Sequence, residues 1–159
     1  MAPYILNDEW TRPETESRNL LATSAKLRAP SVLIVEDDMT MEPLWRYIMQ
    51  EVDPNAQIKW ATTEELAERL IRRKIRMHED FDLIICDVFL NGTRTGIDLW
   101  KRYGDGPSPF LFMSVISQAK LAKLTGTMER MPRYLQKPLN PVKCIEIVGN
   151  MLNYERPAS

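Results

Sequence analysis

From Ser31 onward, short unbroken apolar runs alternate with longer stretches in which apolar residues recur every three or four positions. SVLIV (31–35), DLIICD (82–87) and PFLFMS (109–114) are of the first kind, and predict strands covered on both faces. AQIKWA (56–61) is shorter and reads as an edge strand, and RYLQ (133–136) as a brief fifth. Of the second kind, TMEPLWRYIMQEV sets Leu44, Trp45, Ile48, Met49 and Val52 at helical spacing behind Thr40 as cap. Thr62 and Glu65 form a capping-box pattern before a helix whose inner stripe is Leu66, Leu70, Ile71 and Ile75. TGIDLWKRYG predicts a third helix closed by Gly104, and SQAKLAKLTGTM a weaker fourth, weakened further by Gly126. Asn140–Pro141 opens a fifth, with Val142, Ile145, Val148 and Leu152 inward.

Five strands alternating with five helices predict an α/β fold, a parallel sheet doubly wound by right-handed crossovers with helices on both faces. In such sheets the functional crevice lies beyond the carboxyl ends of the strands. Residues 1–30 break this rhythm: they are polar and interrupted by Pro3, Pro13 and Pro30. Within them SRNLLATSAKLR can form a short helix capped by Ser17, with Leu20, Leu21 and Leu27 on one side. The segment is either a loosely docked leader or an arm whose leucines need a partner surface. The division expected is an extension over 1–30, one domain over 31–155 and a tail over 156–159.

Composition narrows the class. Of 159 residues 44% are hydrophobic and 27% charged, the balance of a soluble globular protein. A net charge of −1 gives no global pull toward nucleic acid or a membrane surface. No window approaches the roughly 20 apolar residues of a membrane span, and the N-terminus has no secretory pattern. Cys86 and Cys144 fit no metal-ligand spacing and read as reduced core thiols, which suits the cytoplasm. The basic run RRKIR (72–76) alternates with Ile71 and Ile75 at helical spacing, so it reads as a solvated helix face.

The strand ends carry the chemistry. The first strand runs into Glu36, Asp37 and Asp38, the third into Asp87, the fourth into Ser114, and the fifth into Lys137 and Pro138. If the first, third, fourth and fifth strands are neighbours, these groups converge on one edge. Clustered carboxylates repel, so the cluster either takes up protons or binds a divalent cation. Oxygen ligands without His or Cys select a hard ion, Mg²⁺ foremost. A carboxylate, a hydroxyl and an ammonium beside that ion match phosphoryl transfer to aspartate. Asp87 attacks phosphorus, Lys137 and the cation neutralise the phosphoryl oxygens, and Ser114 donates a hydrogen bond.

VLIVEDD, DLIICDVFLNG, FLFMS and YLQKPL, in that order, resemble the receiver domain of two-component response regulators over about residues 31–155. The resemblance implies a flavodoxin-like five-stranded sheet of order 2-1-3-4-5. It makes Glu36 and Asp37 the metal-holding acids, Asp38 a neighbour and Asp87 the phosphoacceptor. It makes the Phe89 backbone carbonyl a third protein oxygen on the metal, Ser114 and Tyr134 the switch pair, and Lys137 the lysine before a cis bond to Pro138. It implies a histidine kinase or histidine phosphotransfer protein as donor; His78, in a polar MHED segment, is no candidate for that role. On phosphorylation Ser114 is drawn in, Tyr134 follows, and the surface of the fourth helix, fifth strand and fifth helix changes its affinity for a downstream protein or a second copy. Direct nucleic-acid binding, a membrane role and turnover as an enzyme are not expected. The chain ends about 20 residues after Pro138, so a stand-alone receiver without an output domain is expected.

Two departures stand out. Asn91 occupies the place of a common proline, in a loop about one residue longer than the common pattern, where Gly92 and Gly96 keep turn chemistry available. Phe89 and Ile116, two residues beyond Asp87 and Ser114, are apolar and cannot orient a hydrolytic water, which predicts a long-lived phosphoaspartate. An aspartyl-phosphate phosphatase of the haloacid-dehalogenase type needs a second acid where Phe89 stands, and a receiver-like interaction module that takes no phosphate is the other alternative.

Overall fold

A computed structural model of the chain describes residues 28–91, 95–126 and 130–152. Strand β1 (Ser31–Val35) leads through a 3-10 turn (Met39–Met41) into α1 (Glu42–Val52), and β2 (Gln57–Ala61) into α2 (Glu64–Arg76). β3 (Leu83–Asp87) precedes α3 (Gly96–Tyr103), β4 (Phe110–Ser114) precedes α4 (Gln118–Thr125), and β5 (Arg133–Gln136) precedes α5 (Pro141–Leu152). The strands pair parallel in the order β2-β1-β3-β4-β5, the doubly wound flavodoxin-like arrangement expected from the sequence.

β1, β3 and β4 are buried at every position, because helices cover both faces. Leu33, Val35, Ile84, Cys86, Phe110 and Phe112 turn to one face, against Ala67 and Ile71 of α2, Leu99 of α3 and Leu121 of α4. Val32, Ile34, Leu83, Ile85, Leu111 and Met113 turn to the other, against Trp45, Ile48 and Met49 of α1 and Cys144 and Val148 of α5. β2 alternates because it lies at the sheet edge. Among the described residues no helix is long and apolar enough to cross a membrane.

Several local expectations need correction. Thr40 does not cap α1: it lies in the 3-10 turn, where Asp38 accepts from its amide and hydroxyl, and α1 starts with proline in its first turn. Thr63, not Thr62, caps α2, because its extended backbone aims its hydroxyl at the Leu66 amide. Ile75 is 51% exposed and Val142 75% exposed, so neither belongs to its inner stripe. Each lies near a helix end, where the stripe runs past the sheet. Gly126 ends α4 in a left-handed conformation (φ 73°), which glycine adopts without a Cβ penalty. The expected leader helix lies outside the described residues except at Arg28, whose guanidinium reaches Asp82 at 2.7 Å. The tail over 156–159 also lies outside them.

α2 and α3 are joined by a polar network. Arg102 holds Glu68 at 2.6 Å and lies 3.6 Å from buried Glu64, while the Tyr103 hydroxyl donates to Glu68 at 3.0 Å. The Arg102 contact outweighs the cost of burial and holds the Glu68 pKa at about 2, below the usual 4.5. Its folded pKa is depressed, so its stabilisation is present above pH 4.5 and lost as pH falls toward 2. Thermal unfolding across that window should therefore show a steeper acid loss in the wild type than in Glu68→Gln; parallel curves would remove Glu68 from the acid transition.

Candidate functional site

The site is built by strand ends. β1 carries Glu36 and Asp37 past its last ladder pair, and Val35 lies opposite Cys86 of β3. Asp87 follows at the end of β3, opposite Met113, and Ser114 at the end of β4 lies opposite Gln136, one residue before Lys137. A parallel sheet points all these ends the same way, so four separate segments deliver polar groups to one edge.

Glu36, Asp37 and Asp87 each offer a carboxylate oxygen within 4.8 Å of the others. The Lys137 ammonium bridges two of them, 2.6 Å from Asp87 Oδ2 and 2.8 Å from Glu36 Oε2. Glu36 is fully buried and Asp87 nearly so, whereas Asp37 is half-exposed. Burial raises the Glu36 pKa against the lowering effect of Lys137 and of the Asp38 amide, which donates to Oε1 at 3.0 Å. For Lys137 burial works against the ammonium, but its bonds to Asp87 and Glu36 overcome it and the pKa is raised above 10.5. The pair thus keeps its cation firmly charged while its more buried acid is under-compensated.

These residues fit a hard divalent cation. The donors are oxygen only and converge, and the under-compensated Glu36 is the kind of group that a second cation stabilises. If the cluster holds a divalent cation, Asp37→Asn should weaken its binding by about tenfold or more, since even a residue that only supports a metal ligand commonly costs that much. Calorimetric titration measures this, and an unchanged affinity would take Asp37 out of the site.

Three further contacts bear on the acid-bearing segments, and none was visible in the sequence. The Trp60 indole Nε1–H donates to the Glu36 carbonyl at 3.0 Å, from the edge strand. The Phe89 amide donates to Asp87 Oδ1 at 2.9 Å and the Asn91 amide to Asp37 Oδ2 at 3.3 Å. Residues 92–94 of that loop, Gly92 included, lie outside the described residues. Gly96 serves a purpose other than turn chemistry. A Cβ there would sit 2.1 Å from the Asp87 carbonyl oxygen and 2.8 Å from Cys86 Sγ. Glycine is what lets α3 start against the end of β3.

Ser114 ends β4 and Tyr134 lies in β5. The fully buried Ser114 hydroxyl accepts from the Ile116 amide at 3.4 Å. The Tyr134 hydroxyl donates to the carbonyl of Ser114 at 3.1 Å and to that of Ile116, tying β5 to the loop after β4. Burial, and then the charge of Asp87, raise the Tyr134 pKa and keep the phenol protonated. The Lys137–Pro138 bond is cis. The Asp38 side chain caps the following turn. Both cysteines are free and buried thiols whose pKa burial raises.

No family model matches the sequence, and no curated protein does. Solved structures do. A protein assigned as a response regulator from Chloroflexus aurantiacus is 27% identical, with TM-score 0.61 over 79% of this chain and 98% of that one. The phosphorylated cyanobacterial phytochrome response regulator RcpA superposes with TM-score 0.63 at 15% identity, over 80% of this chain and 94% of its own. The Mn(2+)-bound form of response regulator Rcp1 gives TM-score 0.61 at 14% identity, over 81% and 97%.

Proposed function

Starting from a chain that has the receiver-domain fold of response regulators, we propose that it is a phosphoacceptor signalling module whose switch is Asp87. The carrying observation is Asp87 itself: a nearly buried carboxylate bonded by Lys137 at 2.6 Å, with Glu36 and Asp37 offering oxygens within 4.8 Å. In the proposed reaction an Asp87 carboxylate oxygen bonds to phosphorus as the bond from phosphorus to the nitrogen of a donor histidine breaks. The freed histidine belongs to a partner kinase or phosphotransfer protein. The Lys137 ammonium, already at Asp87 Oδ2, meets the charge on the arriving phosphoryl oxygens. The Ser114 hydroxyl exchanges its local bond with the Ile116 amide for one to the phosphoryl group. Mg²⁺, held by Glu36, Asp37, Asp87 and the Phe89 carbonyl, would supply further neutralisation of the phosphoryl charge. Phosphotransfer to itself and loss of that phosphoryl group are the whole of its chemistry, so it is not a turnover enzyme.

The output follows from Tyr134. Its hydroxyl holds the Ser114 and Ile116 carbonyls, so a shift of the loop after β4 must move the ring or break those bonds. Val115, Leu124 and Val142, on the loop before α4, on α4 and at the start of α5, are exposed apolar side chains. They give the α4–β5–α5 surface the means to bind a downstream protein or a second copy. A cytoplasmic site of action accords with this chemistry. Phosphoramidate, a small donor with a phosphorus–nitrogen bond, should load Asp87 when Mg²⁺ is present. After the donor is removed the phosphoryl group should persist for minutes or longer, because the Phe89 and Ile116 side chains offer no polar atom to orient a water. Failure to load refutes the function; loading followed by loss within seconds refutes only the long lifetime.

A further inference from the structure

At the pole of the sheet opposite Asp87, a cleft of about 110 Å³ opens between α2, α3 and the residues leading into β3 and β4. Ile71, Ile75, Phe81, Tyr103 and Pro107 give it an apolar lining. Ile75 is 51% exposed there and nearby Met77 56%, an apolar helix end that the described fold leaves uncovered. Its two cations are already engaged. Lys74 bonds Glu79 at 2.7 Å and lies 5.5 Å from the Phe81 ring centroid, and Arg102 bonds Glu68 at 2.6 Å. Asp80, an exposed carboxylate, completes the lining.

The chain itself brings a matching segment to this place. Arg28 is fastened to Asp82, the residue after Phe81, at 2.7 Å, and the Asp82 carboxylate also accepts from the Ser31 amide at 2.7 Å. Arg28 thus stands beside the cleft, and each residue before it can add at most about 3.5 Å of reach. Residues 17–27 contain Leu20, Leu21 and Leu27, and their only charges are the basic Arg18 and Lys26. Leu20 and Leu27 are seven residues apart, a spacing that in a helix would set them on one side about 10 Å from each other. That combination suits an apolar cleft with a free acidic rim.

We propose that residues 17–27 dock within their own molecule into this cleft, their leucines against Ile75 and Phe81 and their basic charge toward Asp80. The inference is independent of the phosphoryl chemistry. Two full-chain variants test it, each read at a place its own substitution does not touch. Ile75→Asp, at an exposed position that leaves the core intact, should speed tryptic cleavage after Arg18 and Lys26 by at least about tenfold, since cleavage follows the undocked population. Leu20→Ser/Leu21→Ser/Leu27→Ser should raise amide hydrogen exchange over residues 74–81 by a comparable factor. An unchanged rate in either variant overturns the proposal. Wild-type protection that grows with protein concentration also overturns it, in favour of a second copy seated on the cleft.

Discussion

Lys137→Met is expected to cost the protein both its phosphoryl-accepting activity and much of its stability in metal-free buffer. Lys137 places one cation between two acids that are almost entirely out of water, 2.8 Å from Glu36 and 2.6 Å from Asp87. Removing one partner of a buried ion pair leaves an uncompensated charge, at about 3 kcal/mol or more. Burial already raises the Glu36 pKa with Lys137 present, so the variant should relieve itself by taking up a proton at that acid. Its stability deficit should then shrink as pH falls, and should also shrink on adding Mg²⁺. The loss in loading rate should be of a different kind. A donor aimed at developing charge contributes about 10²-fold or more, and neither acid nor Mg²⁺ replaces it at that position. Chemical denaturation with and without Mg²⁺, beside a loading time course, separates the two effects. Wild-type stability in metal-free buffer would show that the acids do not depend on Lys137.

Gly96→Ala should destabilise the fold and disturb the proposed phosphoacceptor together. The added Cβ would meet the backbone oxygen of Asp87 at 2.1 Å and Cys86 Sγ at 2.8 Å. Neither can yield freely, because Cys86 is fully buried in the central strand and Asp87 ends it. Overpacking of this sort costs roughly 1–3 kcal/mol and displaces backbone. Here the backbone displaced is that of the proposed phosphoacceptor, and the Gly96 amide bond to the Val88 carbonyl at 3.0 Å goes with it. Thermal unfolding should show a loss in that range, and Mg²⁺ affinity should fall as the Asp87 carboxylate moves. An alanine variant with wild-type stability and metal affinity would mean that α3 can shift without consequence.

How much of this was legible in the sequence depended on how local the signal was. The five strands were legible, since three are buried on both faces and so appear as unbroken apolar runs. Glu36, Asp87 and Ser114 were legible because each directly follows, or ends, such a run, and Lys137 because it follows the short RYLQ strand just before a proline. Contacts made across the fold left no local mark. Trp60 looks like any residue of an alternating edge strand, yet its indole nitrogen holds the Glu36 carbonyl. Gly96 looked like turn chemistry because spacing says nothing of which atoms its missing Cβ avoids. Periodicity also misled where a helix outruns its cover: Ile75 and Val142 fall on the right spacing, but nothing in the described fold lies over them. Thr62 and Thr63 are adjacent hydroxyls of equal capping chemistry, and only the backbone turn decides between them.

In the proposed reaction Asp87 takes a phosphoryl group with the help of a divalent cation. Intact-mass measurement after treatment with acetyl phosphate tests it most directly. A gain of one phosphoryl group is expected with Mg²⁺, none with a chelator in its place, and none in Asp87→Asn under either condition. No gain in the wild type, or an equal gain in Asp87→Asn, would contradict it.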